Sequence, residues 1–544
     1  MMNNLVGTLP YIRIMILGAS VLMPSLAYSD TSLCEGLLNL RLARTEIIKT
    51  ETITTGSIAD ANDQTYEVPT FCRVHGLVRL EPGSNINFEV WMPAQQWNGR
   101  YHQHGQGGIG GKINYAALAR ILNQGGVAVA TDDGHTRDKD GGATWARDER
   151  KVIDVFTLSL KTTYDRAQDI VRHYYRQAPQ YRYFSGCSGG GRQALIAAQR
   201  YPEDWDGIIA GAPGPDITGY SRAAAYGQLW RNNPEGRIGP QKFPAIQKAA
   251  LDSCSTDAQV VEGVASDPRF CKPNPDTVAC TEEETDDCLT EPQRLMLKTL
   301  YNGIADTVTG EIIYPGFIPT MENAGGWPIW VTGTSPDNNQ APLSVFLGNR
   351  FFRNFVYNDP GWDVAQFNLT RDQSFAENKT LSGETFSSIM NTNQVDLSPL
   401  KKSGTKLITY DGWGDLGIVP NSLLNYHNKV VVKMGGDKQI RDFYRLFMVP
   451  GMLHCGSGPG ANVFGQLYDI KNDADHNIVR ALEAWVEKGV APDRIIATKY
   501  VDDKPEKGVA FTRPLCPFPQ VSKYKGTGST DLAVNFKCIE GATP

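Results

Sequence analysis

The chain reads as an α/β protein, a mostly parallel sheet with helices on its faces, interrupted by one large insertion. Buried-strand and helical patterns alternate from residue 88 to 213 and resume at 406. Between about 215 and 400 that rhythm is lost in a stretch rich in Pro, Asn, Asp and Gly. A glycine-rich turn in "YFSGCSGGGRQALIAAQ", 183 to 199, joins a strand pattern to a helix pattern and sets two nucleophilic side chains, Cys187 and Ser188, next to each other.

Taken in order, the first thirty residues carry a lone Arg13, an apolar run from Ile14 to Leu26 and small residues at Ala27 and Ser29. That is the pattern of a secretory signal peptide over 1–29, absent from the mature protein. "FEVWMP" (88–93) alternates like a half-buried strand, and "GRYHQHGQGGIGG" (99–111) runs from a strand into a glycine-rich loop. "GVAVATDDGH" (126–135) is a buried strand with a polar end. Tyr164, Ala167, Ile170, Val171 and Tyr174 recur at helical spacing ahead of the strand "YRYFSG". Beyond the turn, Ala194, Leu195, Ala197 and Ala198 continue a helix that Pro202 stops, and "GIIAGAP" (207–213) is the next strand. After the insertion come strands in "KLITYDGWGD" (406–415) and "YRLFMVPGMLHCG" (444–456). The amphipathic helix "IVRALEAWVEKG" follows, with Ile478, Leu482 and Trp485 on one face above a Gly489 stop. The expected organisation is a first part of the sheet domain at 30–214, an inserted domain at 215–400 and the rest of the sheet domain at 401–544.

At 544 residues and 41% apolar content the chain can bury a large core and is too long for one simple domain. A net charge of -6 gives no basic field, so nucleic acid and anionic membranes are poor partners and a small molecule is the expected one. No apolar run after the signal approaches the ~20 residues of a membrane-spanning helix. Export to an oxidising compartment lets the ten cysteines pair. Local spacing joins Cys254 to Cys271 and Cys280 to Cys288, while Cys516 and Cys538 flank a short segment and Cys34 and Cys72 alone precede the glycine-rich turn. Elimination leaves Cys187 with Cys455.

"GCSGG" fits G-x-S-x-G between a strand and a helix, the nucleophile elbow of α/β-hydrolases. Small residues permit the turn, Ser188 stands above the sheet, and the following helix N-terminus favours a developing oxyanion. A serine hydroxyl needs a base, and the base needs an orienting acid; in this fold they follow in the order Ser, Asp or Glu, His. His427, His454 and His476 follow a plausible acid-bearing strand. His427 and His476 lie in helix-like or polar settings that suit a solvated ring, whereas His454 ends a strand. In "LITYDGWGDLG", Asp415 lies further out on the loop, where it reaches a histidine, and Asp411 reads as a turn former. A bridge from Cys187 to Cys455 would tie Ser188 to His454, making Cys187 a clamp. The alternative, a buried free thiol, leaves an unpaired cysteine in each of two loops of an exported protein.

At these residues the chain resembles the tannase and feruloyl esterase family, which includes an enzyme hydrolysing mono(2-hydroxyethyl) terephthalate. The resemblance runs through "WNGRYHQHGQGG", "GCSGGGR", "DGIIAGAP", "DGWGDLGI", "VPGMLHCGSGPG" and "TRPLCPFPQVSKYKGTG", which together span the mature chain. It implies an α/β-hydrolase fold with a lid domain over the insertion, a Ser188, Asp415, His454 triad, the 187–455 disulfide, and an oxyanion hole from the N–H groups of Gly105 and Gly189. It also implies a lid calcium loop of the form C-D-x-x-D-x-V-x-D-G-V, whose ligand positions fall here on Ser255, Ala258, Val260, Glu262 and Val264. Two of the three expected carboxylates are replaced, and Asp257 is out of register by one. The site is either lost or rebuilt around Asp257, with the loop held by Cys254 and Cys271. No counterpart is found for the lid arginine that grips the terephthalate carboxylate, which lowers that substrate.

His102 and His104 share one strand face but lack a third ligand, and read as pocket or core polar residues. "TEEETDDC" reads as a solvated acidic loop. Of Trp327, Trp330, Phe346, Phe351, Phe352 and Phe355, most belong to a core and one or two touch an aromatic acyl group. The resulting expectation is a secreted or periplasmic serine carboxylic ester hydrolase acting on esters of aromatic acids, hydroxycinnamates first, gallates next and terephthalate monoesters last, with no required cofactor. A non-catalytic binder of phenolics or carbohydrates on a hydrolase fold is the rival.

Overall fold

The structure, a computed structural model, describes residues 30–214, 217–305, 309–334, 340–467 and 470–542. The signal pattern at 1–29 lies outside them. The core is a nine-stranded sheet. Its strands are β1 (Thr45–Ile53), β2 (Phe71–Val78), β3 (Ile86–Pro93), β4 (Arg100–His104), β5 (Val127–Thr131), β6 (Tyr181–Cys187), β7 (Gly207–Gly211), β8 (Lys406–Gly412) and β9 (Tyr444–Val449). They lie in the order β1-β2-β3-β5-β4-β6-β7-β8-β9. Every pairing from β5 to β9 is parallel, and the pairings among β1, β2, β3 and β5 are antiparallel.

Parallel strands need both faces covered. In β5, Val127 and Val129 pack on one side with Tyr164, Ile170 and Phe184, while Ala128 and Ala130 pack on the other with Leu118 and Leu122. The first face carries α2 (Ser159–Tyr175), α3 (Gly189–Arg200) and α9 (Pro420–Lys433); the second carries α1 (Tyr115–Asn123) and α10 (Ile478–Lys488). Asn477 caps α10 by accepting the N–H groups of Val479 and Arg480, and Gly489 ends it in the left-handed region at φ 71°, where a side chain would be strained. "FEVWMP" proves buried on both sides, not half-buried, because β3 lies inside the sheet between β2 and β5.

The chain leaves the sheet after β7 and returns at β8. Between them lie α4 (Thr218–Asn232), α5 (Phe243–Asp252), α6 (Glu291–Asn302), α7 (Leu343–Arg350) and α8 (Leu369–Asn378), joined by turns, shorter helices and hairpin strands of two or three residues. Two apolar clusters hold this segment. One joins Phe351, Phe352, Phe355 and Trp362 to Trp145 and Phe156 of the sheet domain. The other joins Phe243, Leu297, Phe317 and Trp327 to Leu416 and Val419 of the loop after β8. Trp327, Phe351, Phe352 and Phe355 are thus core, and Phe346 is exposed.

Five disulfides form: Cys34–Cys72, Cys187–Cys455, Cys254–Cys271, Cys280–Cys288 and Cys516–Cys538. No described helix is long and apolar enough to cross a membrane.

Candidate active site

At the end of β6 the chain turns sharply at Ser188, held at φ 61° and ψ -119°, and enters α3. This left-handed backbone is costly for a residue with a Cβ, and such strain concentrates at functional sites. It is pinned on both sides: Ser188 N–H donates to Gly211 O at 2.9 Å, and Ser188 O accepts from Arg192 N–H at 2.9 Å. Glycine is obligatory next to it, since a Cβ on Gly189 would lie 2.0 Å from Gly108 O and one on Gly191 2.1 Å from Gly211 O. The elbow motif therefore records two backbone approaches as well as a turn.

Asp415, four residues beyond Asp411 on the loop after β8, is fully buried, and its Oδ1 accepts the N–H groups of Gly417 at 2.7 Å and Ile418 at 2.9 Å. Its Oδ2 lies 2.7 Å from His454 Nδ1. Burial disfavours the imidazolium of His454, yet the charge and hydrogen bond of Asp415 outweigh it and hold the ring above the ordinary histidine range. The other candidates differ. His427 is buried on α9 against Tyr444 and Phe518, not solvated as its sequence setting implies, and burial pushes it down to about 4. His476 is half-exposed and pairs with Asp473 at 2.7 Å. Asp411 is no turn former either: it lies within β8, completely buried.

The Cys187–Cys455 bridge joins the residue before Ser188 to the residue after His454. Ser188, Gly189 and His454 open onto one cavity of about 170 Å³. Gly105 requires a correction. Its N–H donates to Ser185 O at 2.9 Å, extending the β4–β6 ladder, so it is not free for an oxyanion. Farther along the same loop, Gly108 lines the cavity beside Ser188 and its N–H makes no hydrogen bond among the described residues.

The opposite wall comes from the inserted segment: Tyr220 and Tyr226 of α4, Phe317, Trp330, and Leu347 and Arg350 of α7. Trp330 meets the His454 ring edge-on at 5.3 Å between centroids, so of the six aromatics singled out in the sequence it is the one that reaches the site. Arg192 and Arg350, with Arg222, also face the cavity, and among the described residues no aspartate or glutamate lines it. Burial pushes the Arg192 guanidinium down to about 10, still cationic at neutral pH. Its Nη1 donates to Met390 O at 3.3 Å and it lies over the Phe156 ring; the Nε of Arg350 is buried without an acceptor. Sequence reading missed both arginines. Arg192 stands one helical turn after Ser188, a spacing that places it near the nucleophile, but nothing local marks Arg350.

His102 stacks on Tyr183 and lies 3.4 Å from Glu483, while His104 lies 3.4 Å from Ser185 Oγ and burial pushes it down to about 3. The calcium positions do not make a cation cage. Ser255 is exposed, Ala258 is buried and offers no side-chain ligand, and the Glu262 carboxylate is taken by Thr530 Oγ1 and lies 3.6 Å from Arg513. Asp257 is exposed, and among the described residues no three His, Cys, Asp or Glu side chains cluster as metal ligands would. These residues do not fit calcium. In the acidic loop, Glu284 pairs with Lys242 at 3.1 Å.

Residues 72–539 match the family model described as tannase and feruloyl esterase. An uncharacterised esterase of Xanthomonas campestris is 38% identical over 538 residues, covering 94% of this chain and 92% of its own. A probable feruloyl esterase B-2 of Aspergillus flavus is 31% identical over 456 residues, covering 82% and 83%. Among solved structures, feruloyl esterase B from Aspergillus oryzae superposes with a TM-score of 0.82 at 25% identity over 94% of this chain and 100% of that one. The tannin acyl hydrolase from Aspergillus niger shares the fold, with a TM-score of 0.73 at 20% identity over 94% of each chain. The chain, an α/β-hydrolase by its sheet and its elbow, belongs to the tannase and feruloyl esterase family and is a carboxylic ester hydrolase.

Proposed function

We propose that the chain is an exported serine esterase that cleaves esters of hydroxylated aromatic acids through an acyl-enzyme. The observation that carries this reading is the Asp415–His454 pair at 2.7 Å, opening with the strained Ser188 onto one cavity. Ser188 Oγ attacks the ester carbonyl while His454 Nε2 takes its proton. Asp415, bonded to Nδ1, fixes the tautomer and stabilises the imidazolium. The tetrahedral oxyanion is met by the N–H groups of Gly189, at the start of α3, and Gly108, on the loop after β4, each worth roughly 3 to 4 kcal/mol in such a site. His454 returns the proton to the departing alcohol, and water then releases the acid by the same steps in reverse order. No metal enters any step.

Tyr226, Phe317, Trp330 and Leu347 offer the acyl group an apolar, partly aromatic wall, and the guanidiniums of Arg192 and Arg350 offer donors to ring hydroxyls. Feruloyl and related hydroxycinnamoyl esters fit this description first and galloyl esters next, in keeping with the names of the relatives. The unpaired Arg350 Nε also favours a second reading, a monoester whose free carboxylate meets that arginine. The inserted segment acts as a lid domain over the sheet. Five disulfides and the signal pattern at 1–29 support a secreted or periplasmic location. A fluorophosphonate probe tests the chemistry: it should label Ser188 in the wild type and nothing in Ser188→Ala, whereas an unlabelled wild type would mean a non-catalytic binder. Rates on methyl ferulate, methyl gallate and a terephthalate monoester then rank the acids.

A further inference from the structure

Asp411 is a fully buried carboxyl group that the mechanism above leaves idle. Its Oδ1 accepts the Gly412 N–H at 2.8 Å, while its Oδ2 is buried and meets no donor among the described residues. The group that acts on the Asp411 carboxyl most strongly, by its charge and by hydrogen bonding, is the carboxyl group of Asp415, four residues on and equally buried. If both groups were ionised, two like charges would touch in a water-free site and one oxygen would be orphaned, and each condition is costly. A single proton between them removes both.

We propose that Asp411 carries that proton and donates it in a hydrogen bond to Asp415, acting as a positioning residue behind the Asp415–His454 pair. This rests on the triad reading above. The proton belongs to Asp411 because Asp415 already accepts three donors, from Gly417, Ile418 and His454, against one for Asp411. A carboxylate has about four acceptor positions, and the Asp411 hydroxyl fills the last. Burial first, and the Asp415 charge next, hold Asp411 well above the usual carboxylate range. The cation facing it is Arg222 of α4, whose guanidinium is held by Gly417 O at 2.7 Å and opposes that shift without reversing it. With its fourth acceptor position filled, Asp415 is a weaker base. The proton that passes to His454 during attack therefore stays on the imidazole.

Two substitutions separate this role from packing. Asp411→Asn keeps a donor toward Asp415 and cannot ionise; Asp411→Leu fills the space and removes the donor. Asp411→Asn should keep kcat within about threefold of wild type. Asp411→Leu should lower kcat by roughly 10- to 100-fold with little change in KM, the loss expected for a hydrogen bond to a charged group. Its acid limb of kcat/KM should move to higher pH, because an Asp415 without that donor holds the imidazolium more tightly. The infrared difference spectrum between wild type and Asp411→Asn at neutral pH should show, on the wild-type side, the carbonyl band of a protonated carboxylic acid, the bands of other buried carboxyl groups such as Asp133 and Glu322 cancelling in the difference. The proposal is overturned if that band is absent from the difference, if Asp411→Asn is as impaired as Asp411→Leu, or if Asp411→Leu leaves kcat and the pH profile in place. Should Ser188→Ala stay active, the triad reading fails on its own, whatever the band shows, and should Asp411→Leu not fold, the band and Asp411→Asn still decide.

Discussion

Ser188, Asp415 and His454 each follow the end of a parallel strand, whereas Tyr220, Trp330 and Arg350 come from helices and turns of the inserted segment. The first group is held by backbone: ladder register, the close approach of Gly189 and Gly191 to facing carbonyls, and a disulfide joining two of the three loops. The second group is held by side chains packing in apolar clusters, with Tyr220 stacked on Phe351 at 4.7 Å. Backbone constraints leave little freedom, which suits the reaction chemistry proposed for these residues. Side-chain packing tolerates exchange of one shape for another, which suits the opposite wall to the discrimination among acids proposed for it.

The comparison can be broken most severely on the strand-end side. Ser188→Ala and His454→Ala should each lower kcat by roughly 10³-fold or more with melting temperature unchanged, because triad members act as a unit; appreciable turnover by either would show that the chemistry is not held there. Replacing both Cys187 and Cys455 with alanine should leave a folded esterase slower by on the order of a hundredfold, since small losses of alignment between nucleophile and base are expensive. Undiminished rates after full reduction would show that the strand ends alone keep the geometry.

On the side-chain wall the effects should be smaller and should depend on substrate. Arg350→Leu should narrow the preference for hydroxylated over unhydroxylated aromatic acids by about tenfold in kcat/KM; an equal loss on every ester would place Arg350 in the common machinery. The pH profile sharpens the contrast further. The proposed mechanism needs neutral His454, and Asp415 raises the folded-state value of that ring. Activity should therefore be lost as pH falls through a midpoint above that of free histidine, and Asp415→Asn should move what activity remains to lower pH. Smallest of all, EDTA should leave the melting temperature unchanged, because Ala258 and the engaged Glu262 cannot rebuild a calcium site; a drop reversed by added Ca²⁺ would refute this.

The same division decides what was legible in the sequence. "GCSGG" and "HCG" carry local backbone demands, so the elbow, the histidine and their bridge can be read from spacing and turn chemistry. Gly489 and the α10 stripe follow from helical periodicity for the same reason. Gly105 was misplaced because a glycine-rich loop offers several N–H groups, and which one the β4–β6 ladder consumes is a matter of register that spacing does not reveal. In sequence His427 reads as solvated and Asp411 as a turn former, yet α9 and β8 bury them through contacts with Phe518 and with the Asp415 loop, both distant or folded back in three dimensions. Arg350 reaches the cavity through tertiary packing alone.

The Cys187–Cys455 bridge spans 268 residues and encloses the whole inserted segment. A protease that cuts the chain once anywhere between these cysteines therefore does not release a fragment. The piece carrying Ser188 and the piece carrying His454 remain one covalent molecule, separable on a gel only after reduction. Surface turns of the insertion can be nicked in a protease-rich surrounding while the two halves of the catalytic apparatus stay joined.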